Sequence, residues 1–527
     1  MASSAPGIPR SGASPAAVPS AAAQATGSVV ESGSRRLLVV IGVMLAALLQ
    51  TLDSTITNVA LPNIQGNLGA TSDEATWVIN GYIIAVVIVI PMIPWLQTTF
   101  GRKRYFLACI AGFTAASFAC GISESIDELI VFRIVQGIFG AGLLATAQTI
   151  LRDTFPPEQL GVSQGIFALG AIMGPALGPP LGGVLVDNLN WNWVFDINIV
   201  PGTISFLILL AVLRDPTQSR RQPLDIPGLI FLVIGIGSLQ YLLSEGERYD
   251  WFEDGHNVLA AVLAAVFIVA LAWRELTTPQ PLVDLRTFRY RAVAAGFACA
   301  LVIGGLIFGS TYTIPQFVQG SLGFTATLSG LLIFVRAIPI GLATPWVARN
   351  VSKYDARWFL GLGFCFMGLG NALQAFATSP QSDFGNFVIP LALTGVGAAM
   401  LFVPLSTAVL GGTPLSQSAK AAAYVNLGTQ LGGSIMIAVL STILDRRLAF
   451  HLSELAGNIT LSEPALQIFP QLAQMPAQLY GLVFSQALIQ AYEDISIVLG
   501  CLAIVAIPIV FLMPRPKPTG APVHIEA

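Results

Sequence analysis

Two charged residues stand inside apolar sequence. Asp53 lies in LQTLDSTITNVALP, within a stretch that begins at Leu37, and Arg133 lies in LIVFRIVQGIFGAG. If these stretches cross a bilayer, an ionised Asp53 costs about 3 kcal/mol on insertion scales, and such groups pair, face water or carry protons. Asp53 precedes Leu61 by eight residues, roughly 12 Å from that end of a helix at 1.5 Å per residue. Arg133 lies one turn inside its own stretch, about 8 Å deep. Two antiparallel helices bring those depths together, and an arginine side chain covers the difference, so Arg133 is the expected partner of Asp53. Burial opposes the charge on an acid and a guanidinium favours it, and an acid between those influences can take and release a proton as water access changes. A static pair that only fixes packing is the bland alternative. His256, His451 and His524 all fall outside the apolar stretches, which leaves no histidine relay.

Further residues qualify by position. Arg336, in LLIFVRAIPIG, falls near the middle of an apolar stretch, a depth at which a charge is functional by default. It is expected to line a cavity and favour anionic amphipaths, or to meet an acid elsewhere in the chain. Asn58, Tyr82, Gln136, Tyr312 and Gln316 are candidates for the sparse polar groups of a mostly apolar site. In GAIMGPALGPPLGG, Gly170, Gly174, Gly178 and Gly182 recur every four residues, one smooth helix face that a neighbouring backbone can approach. Pro175, Pro179 and Pro180 remove backbone donors and are expected to bend that helix, which suits a helix that hinges or slides. In FGRKR, Gly101, Arg102 and Lys103 are a topology signal or an inner latch onto acids or helix C-termini of the opposite half.

These residues must be positioned by membrane helices. The chain has 527 residues, 54% hydrophobic and 10% charged, against about 25% charged in a soluble domain, and its mean hydropathy is +0.74. A formal net charge of -3 makes no case for nucleic-acid binding. Phosphate-loop, zinc and nucleophile-elbow fingerprints are absent from the sequence, and no cofactor or metal is expected. The five cysteines all fall in apolar runs without metal-ligand spacing, and read as small core residues.

Runs of about 20 apolar residues predict fourteen spans, near 37–60, 77–97, 105–122, 128–150, 163–186, 194–213, 226–244, 257–275, 292–313, 328–347, 357–378, 387–410, 421–443 and 491–513. With the N-terminus in the cytoplasm, twenty of the 25 Lys and Arg fall on the inner side and three on the outer, as the positive-inside rule requires. Asp53 is the one acid placed well within a span. Residues 1–34 and 514–527 read as cytoplasmic tails, the first disordered for its Ala, Ser, Pro and Gly content. Residues 444–490 read as one long outer loop, part of it an amphipathic hairpin.

LDSTITNVALP, RIVQGIFGAG, GPALGPPLGG and WNWVFDINIVPG, in this order, resemble the major facilitator superfamily, and within it the fourteen-span drug:proton antiporter branch of EmrB/QacA type. The likeness continues through LVDLRTFRYR, PQFVQGSLGFTATLSGLL and NLGTQLGGSIMIAVLSTIL, covering nearly the whole chain from about residue 36. The resemblance implies an all-α fold of two six-helix bundles, residues 35–213 and 286–513, with two extra spans in 214–285 between them. It implies alternating access about a site near the midplane. Asp53 matches the family's span-1 acid, Arg133 its span-4 arginine, and Gly170 to Gly183 its antiporter motif. The superfamily's first inner loop carries Gly, then Asp-Arg, before Gly-Arg-Lys. Here Pro94 and Thr98 stand at the first two positions, so the latch of Gly101, Arg102 and Lys103 is weakened or differently partnered. The resemblance further implies a bacterial inner membrane, and a periplasmic adaptor of EmrA type with an outer-membrane channel, met through 444–490.

The expected function is therefore not enzymatic: proton-coupled export of amphipathic toxic small molecules, with Asp53 protonation driving alternating access. A dedicated exporter of an anionic lipid or metabolite, such as a fatty acid or siderophore, is the second reading. A non-transporting receptor or scaffold is the third.

Overall fold

A computed structural model describes residues 33–214, 223–279, 281–351, 353–458 and 476–513. Among them all regular structure is helical, and fourteen helices are long and apolar enough to cross a membrane. Spans 1 to 7 are Gly33–Leu61, Glu74–Phe100, Arg102–Gly121, Ile126–Thr154, Leu160–Asn188, Trp193–Val212 and Ile226–Glu245. Spans 8 to 14 are Gly255–Thr277, Arg291–Gly320, Thr327–Asn350, Ala356–Ala377, Phe384–Gly411, Leu415–Gly457 and Leu479–Leu512.

Local chemistry sets where several spans begin. Thr71 and Glu74 form a reciprocal capping box ahead of span 2, and the hydroxyls of Ser125 and Thr325 accept backbone N–H groups at the starts of spans 4 and 10. Each satisfies a donor that the first helical turn leaves unpaired. Asp254 accepts the Asn257 and His256 N–H groups ahead of span 8, and these hold its carboxyl below the usual carboxylate range. Gly101, at φ +85°, turns the chain between spans 2 and 3, a conformation that disfavours any residue with a Cβ.

The burial pattern is inverted relative to a soluble protein. Phe376 is 87% exposed and Leu342 76%, whereas Asp53, Gln136 and Asn198 are fully buried. Lipid covers the apolar outer faces, and polar side chains gather inside the bundle, where they find partners. Span 1 packs on spans 5, 6 and 4, span 2 on span 4, and span 3 on spans 4 and 6. Span 9 packs on span 13, span 10 on span 12, and span 11 on spans 12 and 14. These two groups meet chiefly where span 5 lies along span 10. Span 7 leans on span 2 and pairs with span 8.

Two expectations need correction. Gly33 and Ser34, expected at the end of a disordered tail, already belong to the first helix, Gly33–Leu68; residues 1–32 and 514–527 lie outside the described residues. The loop 444–490 is largely helix. Span 13 continues in one helix, Ser418–Asn458, and the last long helix starts at Pro476. His451 Nε2 lies 2.8 Å and Arg447 Nε 3.4 Å from Asp494 Oδ2, tying the two extensions together. Residues 459–475, between them, lie outside the described residues. Span 5 keeps its helix from Leu160 to Asn188 through Pro175, Pro179 and Pro180. Its packing on spans 1 and 10 supports the helix where backbone donors are missing.

Candidate functional site

Asp53 and Arg133 meet. Arg133 Nη1 lies 2.6 Å from Asp53 Oδ2, with both side chains at most 1% exposed. The carboxylate is held on its other oxygen too. Gln136 Nε2 donates to Asp53 Oδ1 at 2.9 Å, and Asn198 Nδ2 donates to the same atom at 3.1 Å. Charge-assisted hydrogen bonds of this kind are the strong ones. Arg133 is fixed in turn: Nε donates to the Val78 carbonyl at 3.0 Å and Nη1 to Gln136 Oε1 at 2.7 Å. Its guanidinium carbon sits 4.3 Å from the centre of the Tyr82 ring. Ser117 joins the base of the network, accepting from Gln136 and Asn198 and donating to the Phe195 carbonyl. Spans 1, 2, 3, 4 and 6 thus converge on one carboxylate. Tyr82 Oη and Asn198 Oδ1 are buried without a hydrogen-bond partner among the described residues, which leaves the network room to rearrange.

The glycine face of span 5 lies against the same stretch of span 1. A Cβ on Gly174 would fall 2.1 Å from Thr51 Oγ1 and 2.5 Å from the Leu52 backbone nitrogen, and one on Gly178 would fall 2.2 Å from Thr55 Oγ1. Gly170 meets Met44 and Gly182 meets Ile56. Thr51 and Thr55 donate across this contact to the carbonyls of Gly170 and Gly174, at 3.5 and 3.4 Å. These contacts bracket Asp53 on its own helix. Gly183 and the Pro179–Pro180 pair instead face span 10, at Thr327 and Gly330.

The six cavity candidates divide between the two groups of spans. Tyr82 and Gln136 belong to the Asp53 network, Asn58 is exposed, and Tyr312 and Gln316 stand on span 9 as a half-buried and an exposed residue. Arg336 is 7% exposed. Its Nη1 donates to Ser310 Oγ at 2.7 Å and Thr311 Oγ1 at 3.3 Å.

Arg102 pairs with Asp153 at 2.5 Å and Lys103 Nζ donates to the Leu210 carbonyl at 2.8 Å. Both partners lie within spans 1 to 6, on spans 4 and 6, so neither bond bridges to the opposite half. The bridge comes from Arg152, whose Nη2 donates to the Leu410 and Thr413 carbonyls at the end of span 12, at 2.5 and 3.2 Å. One turn back, Gln148 donates to Gln164 Oε1 and Ser406 Oγ, each at 3.1 Å, and accepts from Asn426 at 3.0 Å.

Sequence reasoning gave no role to Asn198, Ser117, Gln164 or Ser406, and counted Arg152 only as a topology charge. Asn198 stands in the quoted WNWVFDINIVPG, and its place in the first turns of span 6 was the available signal. A lone serine in an apolar helix gives none. Two further carboxylates are buried at span ends. Glu245 accepts from Asn80 at 3.1 Å, and Glu275 accepts the Val283 N–H at 3.0 Å.

Fourteen apolar helices around a buried, hydrogen-bonded ion pair define a multi-pass membrane protein. The Major Facilitator Superfamily model matches residues 43–313 and 297–453. The multidrug export protein EmrB of Escherichia coli K12 is 35% identical over 86% of this chain and 88% of its own. The fatty acid resistance protein FarB of Neisseria gonorrhoeae is 33% identical over 93% of this chain and 99% of its own. The proton:xylose symporter XylE superposes with a TM-score of 0.58 at 14% identity, covering 92% of this chain and 97% of that one, a likeness of fold. The chain belongs to the Major Facilitator Superfamily, in the branch that holds the EmrB proteins.

Proposed function

We propose that this protein is a proton-coupled exporter of amphipathic toxic small molecules. The observation that carries the reading is Asp53, fully buried yet held by Arg133, Gln136 and Asn198. Neutralising that carboxylate releases three donors from two helices at once, spans 4 and 6, and the glycine contact between spans 1 and 5 lies within a turn of it. A proton arriving from outside loosens the layer and favours the state that releases substrate outside. A proton that leaves inward restores the pairing. The driving force is about 2.3 kcal/mol per charge per 100 mV, together with the pH difference.

In this reading the face bearing Arg102, Arg152 and Arg349 is cytoplasmic, as the positive-inside rule requires, and both termini lie there. The membrane is the bacterial inner membrane. Residues 35–213 and 286–513 form the two moving bundles, with 214–285 as an added pair of spans. The gradient supplies the energy, and no cofactor or enzymatic step is involved. The helical extensions that replace most of the 444–490 loop are the surface for a periplasmic adaptor of EmrA type leading to an outer-membrane channel. The names of the EmrB and FarB relatives support export of toxic amphipaths. A second reading, dedicated export of an anionic lipid such as a fatty acid, is favoured by the buried Arg336.

The test uses purified protein in liposomes under an imposed pH gradient, with lumenal pH followed on addition of a cationic dye, a lipophilic weak acid and a long-chain fatty acid. Wild type should show substrate-dependent proton flux and Asp53→Asn should show none while still binding substrate. Flux that persists in Asp53→Asn would move the coupling site elsewhere.

A further inference from the structure

Arg336 is a buried cation without a buried anion. Its Nη1 bonds to two neutral hydroxyls, Ser310 and Thr311. Its Nε and Nη2 make no hydrogen bond, and no carboxylate lies within ion-pair distance, among the described residues. Those two nitrogens are also absent from the set of fully enclosed, unpartnered polar atoms, and the residue keeps 7% of its surface. One edge of the guanidinium therefore opens onto accessible space. Arg133 shows by contrast how the same bundle satisfies a buried guanidinium: a carboxylate, an amide and a carbonyl.

An arginine stays charged in any protein setting, and its planar N–H fork matches a carboxylate with two parallel bonds. A charge at this depth without a counter-ion is costly. The depth selects the source of that counter-ion. Arg336 lies nine residues inside the Thr327 end of span 10, roughly 14 Å along the helix, which is near the middle of a hydrocarbon core about 30 Å thick. Lipid headgroups of the bilayer stay at the interfaces, so the anion must arrive on a molecule that enters the bundle. Ser310 and Thr311 sit on span 9 directly before Tyr312 and within two turns of Gln316, which puts further polar side chains on the same helix.

We propose that Arg336, with Ser310 and Thr311, is the binding subsite for the carboxylate of an amphipathic monoanion. This rests on the export reading and names a substrate class for it. The subsite is separate from the Asp53 layer and lies in the other group of spans.

Binding would be measured on the full chain in phosphatidylcholine nanodiscs with dodecanoate, dodecanol and dodecyltrimethylammonium, on wild type, Arg336→Gln and Arg336→Lys. Wild type should bind dodecanoate about tenfold or more tighter than dodecanol, because charged hydrogen bonds contribute about 1.5–3 kcal/mol. Arg336→Gln should erase that preference and leave dodecyltrimethylammonium binding unchanged or tighter. Arg336→Lys should recover part of it, since the charge remains and the fork does not. Wild type that fails to prefer dodecanoate to dodecanol overturns the assignment without recourse to any variant. Equal loss of anion and cation binding in Arg336→Gln does so as well, by making the residue structural. A repeat in phosphatidylglycerol nanodiscs should give the same dodecanoate affinity; strong competition there assigns the fork to a lipid headgroup and overturns the proposal. Proton flux with the cationic dye is read on the same preparation. Flux without dodecanoate preference leaves export standing and removes the subsite. Dodecanoate preference without flux for any substrate does the reverse.

Discussion

At the scale of single residues the fully buried Asp53–Arg133 pair is a liability when halved. Removing one partner of a buried pair costs about 3–5 kcal/mol, because the remaining charge is uncompensated. Arg133→Leu and Asp53→Asn are each therefore expected to lower the thermal midpoint in detergent. The double variant should recover most of the loss, since it leaves no bare charge. A double variant no more stable than Arg133→Leu would show that the arginine acts through its Tyr82 and Val78 contacts instead. Asn198 permits a gentler test. It supplies one of three donors to the carboxylate, and Asn198→Ala should slow substrate-driven proton flux about tenfold with substrate affinity within about threefold. Unchanged flux would remove Asn198 from the coupling machinery.

At the scale of elements the contact of spans 1 and 5 sets how far Asp53 can move. At Gly174 a methyl would collide with backbone of span 1, 2.4 Å from the Thr51 carbonyl carbon, and backbone cannot rotate away as a side-chain tip can. Gly174→Ala should cost about 1–3 kcal/mol by overpacking, visible as a lowered thermal midpoint, and should impair flux by displacing span 1. Gly183 is the internal control. It lies in the same helix, yet the nearest atom to its added Cβ is Thr327 Oγ1 at 3.6 Å. Gly183→Ala should be neutral, or stabilising by up to about 1 kcal/mol from helix propensity. Equal damage at both positions would mean that backbone freedom, and not close packing, is what the glycines provide.

At the scale of the whole molecule the two groups of spans are tied on the basic face. Arg152 holds carbonyls at the end of span 12, Gln148 holds Ser406 and Asn426, and Gly161 packs against the Ala348 carbonyl. On the opposite face the span 5 to span 10 contact is van der Waals packing of Gly330 on Pro179 and Pro180. This is the arrangement of a molecule closed on its basic side. Arg152→Ala removes two charge-assisted bonds and should favour opening there. With the five native cysteines replaced and one cysteine placed at Ser406, a thiol reagent applied from the basic side should label the variant severalfold faster than its Arg152 parent. Equal rates would show that the closure rests on the Gln148 bond with Asn426 and the packing around Gly161.

The sequence by itself determined the number of spans, their alternation, the basic face and the depth at which Asp53 and Arg133 lie. Those follow from run length, charge distribution and the rise of a helix, each local along the chain. It also marked the glycine face of span 5, whose period is local too. Tertiary structure decided what each face meets. Asn198 became a partner of Asp53, and Ser117 a partner of Gln136 and Asn198, because spans 3, 4 and 6 come together there, which no spacing records. Tyr82 and Gln136 went to that network and away from an open cavity for the same reason. Arg102 and Lys103 bond to Asp153 and the end of span 6 within their own half, and Arg152 bonds across to span 12. Helix continuity past residue 444 was decided by His451, Arg447 and Asp494 meeting between two helices, pairs separated by more than forty residues of chain.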